Sequence, residues 1–237
     1  MGRTLKSESP RRRRRQTNQG VLLSEPLIVE TALRVLKYHG AAGLTVRRLG
    51  TALGADPSAL YRYFRGIEDV VLAITDELLR RVAEGWEPTG RWREDMRELG
   101  LRVHRVYLEH PQAGVLSASR VTGSAHEIRV IEQVLGLLRS AGFPEREAVE
   151  VYHAFIDQML GLAALDAAFE ALPAEHQKRD DDKWRDTYAQ LPAETHPNIA
   201  ATSRLLGESM RRSACESALE LTLDGIAARL DSYRPGP

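Results

Sequence analysis

The sequence of 237 residues holds a single cysteine, Cys215, which excludes an internal disulfide and leaves nothing to tie the fold to an oxidising compartment. Lysine is scarce as well. Lys6, Lys37, Lys178 and Lys183 are the only 4 among 33 basic side chains, a bias that genomic base composition produces as readily as function, so no single arginine carries much weight. Long apolar runs are missing: no stretch free of charge approaches the ~20 residues of a spanning helix, and only Val21-Leu22-Leu23 follows the N-terminal arginines where a signal peptide would place its apolar region. The expectation is a cytoplasmic protein, neither exported nor embedded. Catalytic signatures are missing too. There is no H-E-x-x-H, no phosphate-binding glycine loop and no G-x-S-x-G, and the seven histidines never fall at metal-ligand spacing with one another. An enzyme, a resident metal and a cofactor are therefore not expected, and Asp180-Asp181-Asp182 reads as a solvated loop rather than a cation site.

Net charge is also lacking, with 33 basic against 33 acidic residues, but that zero is an average. Up to Ile67 there are 13 basic and 4 acidic residues, and beyond it 20 and 29. A positive head on a negative body points to a segregated binding function. Within an ordinary globular composition (43% hydrophobic, 28% charged), residues 1–23 stand apart. They carry Arg11 to Arg15 among Gln, Asn, Ser and Gly, with too little apolar content to order a backbone, and read as a flexible basic arm.

From Ser24 onward the apolar period is helical almost everywhere, so the fold is expected to be all-α. A first helix over about 25–38 places Ile28, Ala32, Val35 and Leu36 on one face and ends at His39-Gly40. A second starts at Thr45, buries Val46, Leu49 and Leu53, and stops at Gly54. Asp56-Pro57, a capping acceptor followed by proline at the first helical position, opens a third, short helix over about 57–63. A longer helix over 67–84 follows, then a joint at 85–90 and helices at about 91–109, 112–121, 125–140, 145–171, 197–207 and 213–232. Ser124 with Glu127 forms a capping box and Pro144 opens the longest helix. Residues 173–196 read as a loop. The domains are thus an arm (1–23), a three-helix domain (24–84, with its paired short helices at about 45–64) and a larger helical domain (85–237).

Two short helices joined by a tight glycine turn, the second presenting small and hydrogen-bonding side chains, describe a helix-turn-helix whose second helix enters a major groove. Ser58 and Ala59 are small enough for close approach to base edges. Tyr61, Arg62, Tyr63 and Arg65 sit further along, where phosphates need donors, and Thr45, Arg47 and Arg48 add donors and charge from the preceding helix. The structural alternative is a three-helix core used for protein contacts.

These residues carry a resemblance. A-L-x-V-L at 32–36, G-L-T-V-R-R-L-G at 43–50, G-A-D-P-S-A-L-Y-R-Y-F at 54–64 and E-D-V-V at 68–71 are similar to the DNA-binding domain of the TetR family of transcriptional regulators. The later helices resemble the tetracycline-repressor-like C-terminal domain more loosely. The resemblance implies that Thr45 bonds a phosphate, that Arg47 reaches a base, and that Ser58, Ala59, Tyr61 and Tyr63 face DNA. It departs at Ile67, where the family carries a phosphate-contacting lysine, and Arg65 or the arm is the available replacement. The 67–84 helix contains no histidine, so tetracycline and magnesium ligands are not carried over.

The larger domain is expected to enclose an effector pocket, with His104, Tyr107, Tyr152, His153 and Gln158 as its polar lining and Phe155 and Met159 beside them. Side chains at this spacing also fill cores. Gly161, Ala164 and Ala168 form a small-residue stripe on the longest helix. The last helix has two apolar seams, one with Ala214, Ala218, Leu221, Gly225 and Ala228 and one with Leu219, Leu223, Ile226 and Leu230. A helix apolar on two sides is buried on two sides, so these stripes are expected to form a four-helix homodimer interface. The reading is a homodimeric repressor of a palindromic double-stranded DNA operator, released by an unknown small-molecule effector. A dimeric DNA-binding or protein-interaction module with a solid body is the alternative.

Overall fold

The structure, a computed structural model, describes residues 22–210 and 212–233. Arg11 to Arg15 lie outside the described residues. No β-strand occurs among the described residues, and the chain divides into two compact units between Val70 and Val71.

In the first unit α1 (Glu25–His39) is capped by Ser24, whose hydroxyl accepts from the Leu27 amide, and it buries Ile28, Ala32, Val35 and Leu36. Leu23, expected to belong to the arm, is buried instead. Helix α2 (Val46–Leu53) is capped by Thr45, which accepts from the Arg48 amide at 3.2 Å, and ends on Gly54 at φ 60, the left-handed conformation that glycine adopts without strain. The turn then closes against α2: a Cβ on Gly50 would stand 3.0 Å from both the Ala55 carbonyl oxygen and Pro57. Asp56 accepts from the Ser58 amide at 2.7 Å, and residues Pro57–Arg62 form a 3-10 helix rather than the α-helical turn that the sequence suggested. Six residues leave little room for i→i−4 bonds, and the tighter i→i−3 pattern is usual in so short a piece.

Helix α3 (Ile67–Ala83) begins in the first unit and ends in the second. The second unit contains α4 (Trp92–Glu109), α5 (Pro111–Ser117), α6 (Ala125–Ala141), α7 (Glu145–Glu170), α8 (Ala174–Asp182), α9 (Pro197–Ser209) and α10 (Cys215–Asp231). Helix α7 packs against α4, α5, α6 and α10 through Ala148, Val151, Phe155, Met159, Ala163 and Ala167, a stripe at three- and four-residue spacing. Opposite it α4 carries Gly100, where an added Cβ would meet Leu219 and Met159 at 3.1–3.2 Å, so α4, α7 and α10 approach closely there. The buried carboxylate of Asp95 accepts from the amides of Thr89 and Gly90 and from the Thr89 hydroxyl at 2.9–3.0 Å, fixing the joint ahead of α4. Among the described residues no helix is long and apolar enough to cross a membrane.

Two expectations are corrected here. Helix α5 ends at Ser117, four residues short of the expected 121. The segment 173–196 is not a bare loop: it holds α8, a π-helical turn (Lys183–Thr187) and a 3-10 turn (Tyr188–Gln190). None of these buries a residue. The two turns pack against α9, the Gln177 amide donates to the Phe169 carbonyl at the end of α7, and within the segment the Lys178 ammonium lies 2.6 Å from the Asp182 carboxylate and the Trp184 and Tyr188 rings stack 4.4 Å apart. The N-terminus of α6 forms a variant of the expected box: Ser124 accepts from the Glu127 amide, but the Glu127 carboxylate takes the amides of Thr122 and Gly123 instead of that of Ser124.

Candidate nucleic-acid interface and effector cavity

In the first unit the short helix presents Ser58, Tyr61 and Arg62 to solvent, and Arg47, Arg48 and Arg65 are exposed beside them on the chain. Thr45 is exposed and acts as an acceptor within its cap, which leaves its hydroxyl hydrogen for a phosphate oxygen. Two residues sit differently from expectation. Ala59 is 4% exposed and forms part of the core with Leu60, because the 3-10 pitch rotates it inward, so its methyl does not face outward toward a base. Tyr63 is half-buried and its hydroxyl donates to the Leu23 carbonyl at 2.6 Å. Its hydrogen is spent on tying the segment before α1 to the end of the short helix, not on a phosphate. Tyr61, 59% exposed, is the tyrosine that the short helix presents to solvent.

In the second unit a cavity of about 310 Å3 is lined by α3 (Thr75, Leu79, Val82), α4, α6, α7 and the segment after α5. That volume lies at the lower end of the ~300–1,000 Å3 usual for ligand pockets. Of the seven residues expected to line it, Tyr107, Tyr152 and His153 do so. His153 pairs with Asp157 one turn on, at 3.1 Å. The rest are corrected. Phe155 and Met159 are 1% and 0% exposed and belong to the packed stripe of α7, which is rotated by one residue from the lining stripe Tyr152, Ile156 and Leu160. Gln158 is exposed and accepts a hydrogen bond from the Thr222 hydroxyl on α10. His104 lies 2.7 Å from Asp166, whose same oxygen accepts from Ser213, beside a second cavity of similar size at Leu165, Phe169 and Met210.

The sequence reasoning missed Thr75 and Ser117, buried hydroxyls in the cavity wall, and the charged residues Arg120, Glu127 and Asp157. Helical period alone had marked none of these as inward-facing. Burial pushes the phenols of Tyr107 and Tyr152 up from the ordinary tyrosine value, and for Tyr152 the carboxylates of Glu127 and Asp157 add to it. Among the described residues no group of three or more His, Cys, Asp or Glu is placed to hold a metal ion.

The expected dimer stripes lie on the surface of the chain. Gly161, Ala168, Leu221, Gly225 and Ala228 are exposed and Ala164 and Ala218 half-buried, while the other seam of α10 (Leu219, Leu223, Ile226, Leu230) is buried inside the unit. Nothing stands within 4 Å of a Cβ placed on Gly161 or Gly225.

Comparison with known proteins fits both units. The model for "Bacterial regulatory proteins, tetR family" matches residues 28–74, and that for "Tetracyclin repressor-like, C-terminal domain" matches 84–230. The HTH-type transcriptional repressor DrrR1 of Streptomyces coeruleorubidus is 25% identical over 166 residues, which is 70% of this chain and 60% of that protein. A possible TetR family transcriptional regulator from Streptomyces coelicolor superposes with a TM-score of 0.74 at 28% identity, over 86% of this chain and 99% of that one. ActR of Streptomyces coelicolor, solved in complex with actinorhodin, superposes with a TM-score of 0.73 at 23% identity, over 89% of this chain and 96% of that one. The chain spans 60–66% of the length of the curated relatives DrrR1 and the Saccharopolyspora erythraea HTH-type regulator.

Proposed function

The chain belongs to the tetR family of bacterial regulatory proteins, DNA-binding transcriptional regulators, and from that premise we propose that it is a cytoplasmic, homodimeric repressor of a palindromic operator, released by a small molecule bound in the Tyr107 cavity. The observation that carries the reading is the position of α3. Its first turn follows directly on the DNA-reading segment, and its later turns supply Thr75, Leu79 and Val82 to the cavity wall. An occupant that presses on this wall changes the free energy of one helix that is continuous with the reading head. A ligand shifts an equilibrium only by its differential affinity for the two states, so the effector must bind the released state more tightly.

Further support comes from the surface. The exposed small residues of α7 and α10 suit close packing of two copies in a four-helix arrangement, and a two-fold dimer matches half-sites about one helical turn (~34 Å) apart. The positive charge concentrated before Ile67 supplies phosphate affinity, and the acidic body disfavours DNA elsewhere on the chain. A body that served only to dimerise would have no use for a cavity of about 310 Å3. The relative DrrR1 is a repressor and ActR was solved with a small molecule bound, which favours repression with ligand release here.

Selection of bound sequences from random duplex DNA tests the reading. A palindromic consensus, protected by a dimer and released when a cavity-binding compound is added, is the expected outcome. A consensus without two-fold symmetry, or cavity occupancy that leaves operator affinity unchanged, would refute it.

A further inference from the structure

Tyr107 presents a chemical demand that the protein itself leaves unmet. The residue is 4% exposed, and its ring is seated under Gly114 on α5, where an added Cβ would stand 2.9 Å from the ring. Its backbone carbonyl accepts from the His110 amide, while its phenol oxygen bonds no protein group among the described residues and is not one of the fully enclosed unpaired atoms, which are Trp86 Nε1 and Gln133 Oε1. Tyr107 lines the cavity, so the cavity is where that hydroxyl meets a partner. Burial raises its pKa, which keeps the proton on the oxygen at any physiological pH. A phenol donates better than it accepts because its lone pair is delocalised into the ring, so the demand is for an acceptor.

The rest of the wall limits what that acceptor can be. Leu79, Val82, Leu99, Val103, Ile156 and Leu160 favour a hydrocarbon body. The wall carries the carboxylates of Glu127 and Asp157 against the single guanidinium of Arg120, an excess of negative charge that disfavours an anion in the same space. A pure hydrocarbon would leave the Tyr107 donor covered and unpaired, which weakens its binding. A carbonyl oxygen placed against it avoids that cost and adds no charge.

We infer that the cavity takes an uncharged, mainly hydrocarbon molecule bearing a carbonyl oxygen, and that the Tyr107 hydroxyl, by donating to that oxygen, selects it over the matching hydrocarbon. The inference rests on the reading of this cavity as the effector site.

Three probes of nearly one shape test it by calorimetric titration of the full chain: fluorene, 9-fluorenone and fluorene-9-carboxylate, each against wild type and Tyr107→Phe. The substitution keeps the ring and removes a hydroxyl that no protein group uses, and an unchanged thermal midpoint checks the fold. Wild type should bind fluorenone about tenfold more tightly than fluorene, with the carboxylate weaker than the ketone. Tyr107→Phe should hold fluorene as before and lose the ketone preference to within about twofold. A ketone preference that survives in Tyr107→Phe, or a carboxylate that binds tightest, overturns the inference while leaving the cavity a binding site. If none of the three binds either protein, the reading of the cavity as an effector site falls with it.

Discussion

The hydroxyls of Thr75 on α3 and Ser117 at the end of α5 lie 3.1 Å apart, both buried in the cavity wall. Thr75 also meets the Val71 carbonyl at 2.9 Å, and it has only one hydrogen to give. With that hydrogen on Val71, the bond between helices is donated by Ser117. Thr75→Val therefore strands a buried donor and should cost ~1–3 kcal/mol, whereas Ser117→Ala removes the donor itself and should cost ~1 kcal/mol. In the double variant no donor is stranded, so its loss should be smaller than the sum of the two. Urea unfolding of the four proteins measures this, and strict additivity would mean that the two hydroxyls do not interact.

How much of this arrangement was legible in the sequence depends on what each residue had to do. Thr45, Asp56 and Ser124 announced their helices because a cap needs a particular side chain at a particular position, and all three accept the amides expected of them. Helix α8 gave no such signal. It buries nothing, so it carries no apolar period, and its Lys178–Asp182 pair reads in sequence as a scatter of charge. On α7 the period was clear but its phase was not. Tyr152, Ile156 and Leu160 face a cavity while Val151, Phe155 and Met159 face the packed core, and the two rows differ by one residue, or 100° of rotation. Hydrophobicity does not separate an empty neighbour from a filled one. Ala59 and Tyr63 misled for a related reason: the 3-10 pitch of Pro57–Arg62 turns residues by a different angle per step from the α-helix assumed for them.

Glu77 on α3 gives the second unit an acid-sensitive contact. Its carboxylate accepts from Arg80 at 2.8 and 3.0 Å and from Arg81 at 2.7 Å. The Arg80 hydrogen bond, opposed by burial and reinforced by Arg81, holds its pKa below the usual carboxylate range. A carboxylate whose folded pKa is depressed binds its proton more readily in the unfolded chain. Its stabilisation is therefore complete above the ordinary glutamate value of ~4.3 and lost as pH falls through the folded value. Because the group is partly exposed, solvent screening keeps the effect under ~1 kcal/mol. Glu77→Gln should be less stable than wild type by about that much at neutral pH, and the two denaturation curves should converge on acidification. A gap that widens toward acid would contradict the assignment.

The exposed stripe on α7 and α10 predicts a separation between folding and assembly. Leu221 is 73% exposed within the chain, so Leu221→Asp costs the isolated fold little. Placed in an apolar interface between two copies, the same carboxylate would be desolvated without a partner. Sedimentation should find wild type dimeric at micromolar concentration and Leu221→Asp monomeric, with circular dichroism spectra that coincide. Gly161→Leu, which fills open space in the single chain, should have the same effect by bulk. A variant that stays dimeric would place the interface elsewhere.

Two tyrosines two residues apart should behave in opposite ways. Tyr63→Phe removes the hydroxyl that donates to Leu23, and should lower stability by ~1 kcal/mol with operator affinity close to wild type. Tyr61→Phe removes an exposed hydroxyl that no protein group is seen to use, and should leave stability unchanged while weakening operator binding severalfold. Thermal unfolding and fluorescence anisotropy on one labelled operator separate the two. If Tyr63→Phe were the one to lose DNA, its hydroxyl would have to leave Leu23 on binding.

Salt dependence distinguishes arginines that meet phosphates from those that read bases or merely sit in solvent. Arg47 and Arg48 are exposed in the first turn of α2, two and three residues after Thr45. Each phosphate contact made by a cation releases about 0.9 counterion, so losing one flattens the slope of log affinity against log salt by about one unit per site. If Arg48 meets a phosphate and Arg47 a base edge, Arg48→Gln should flatten the slope and weaken all sequences alike, while Arg47→Gln should keep more of the slope and lose ~1–3 kcal/mol of discrimination at one base pair. Replacing Arg11 to Arg15 with glutamine in the same titration adds the contribution of the basic arm. A slope unchanged in all three variants would mean that the excess positive charge before Ile67 is solvated and that binding rests on the hydroxyls of Thr45 and Tyr61.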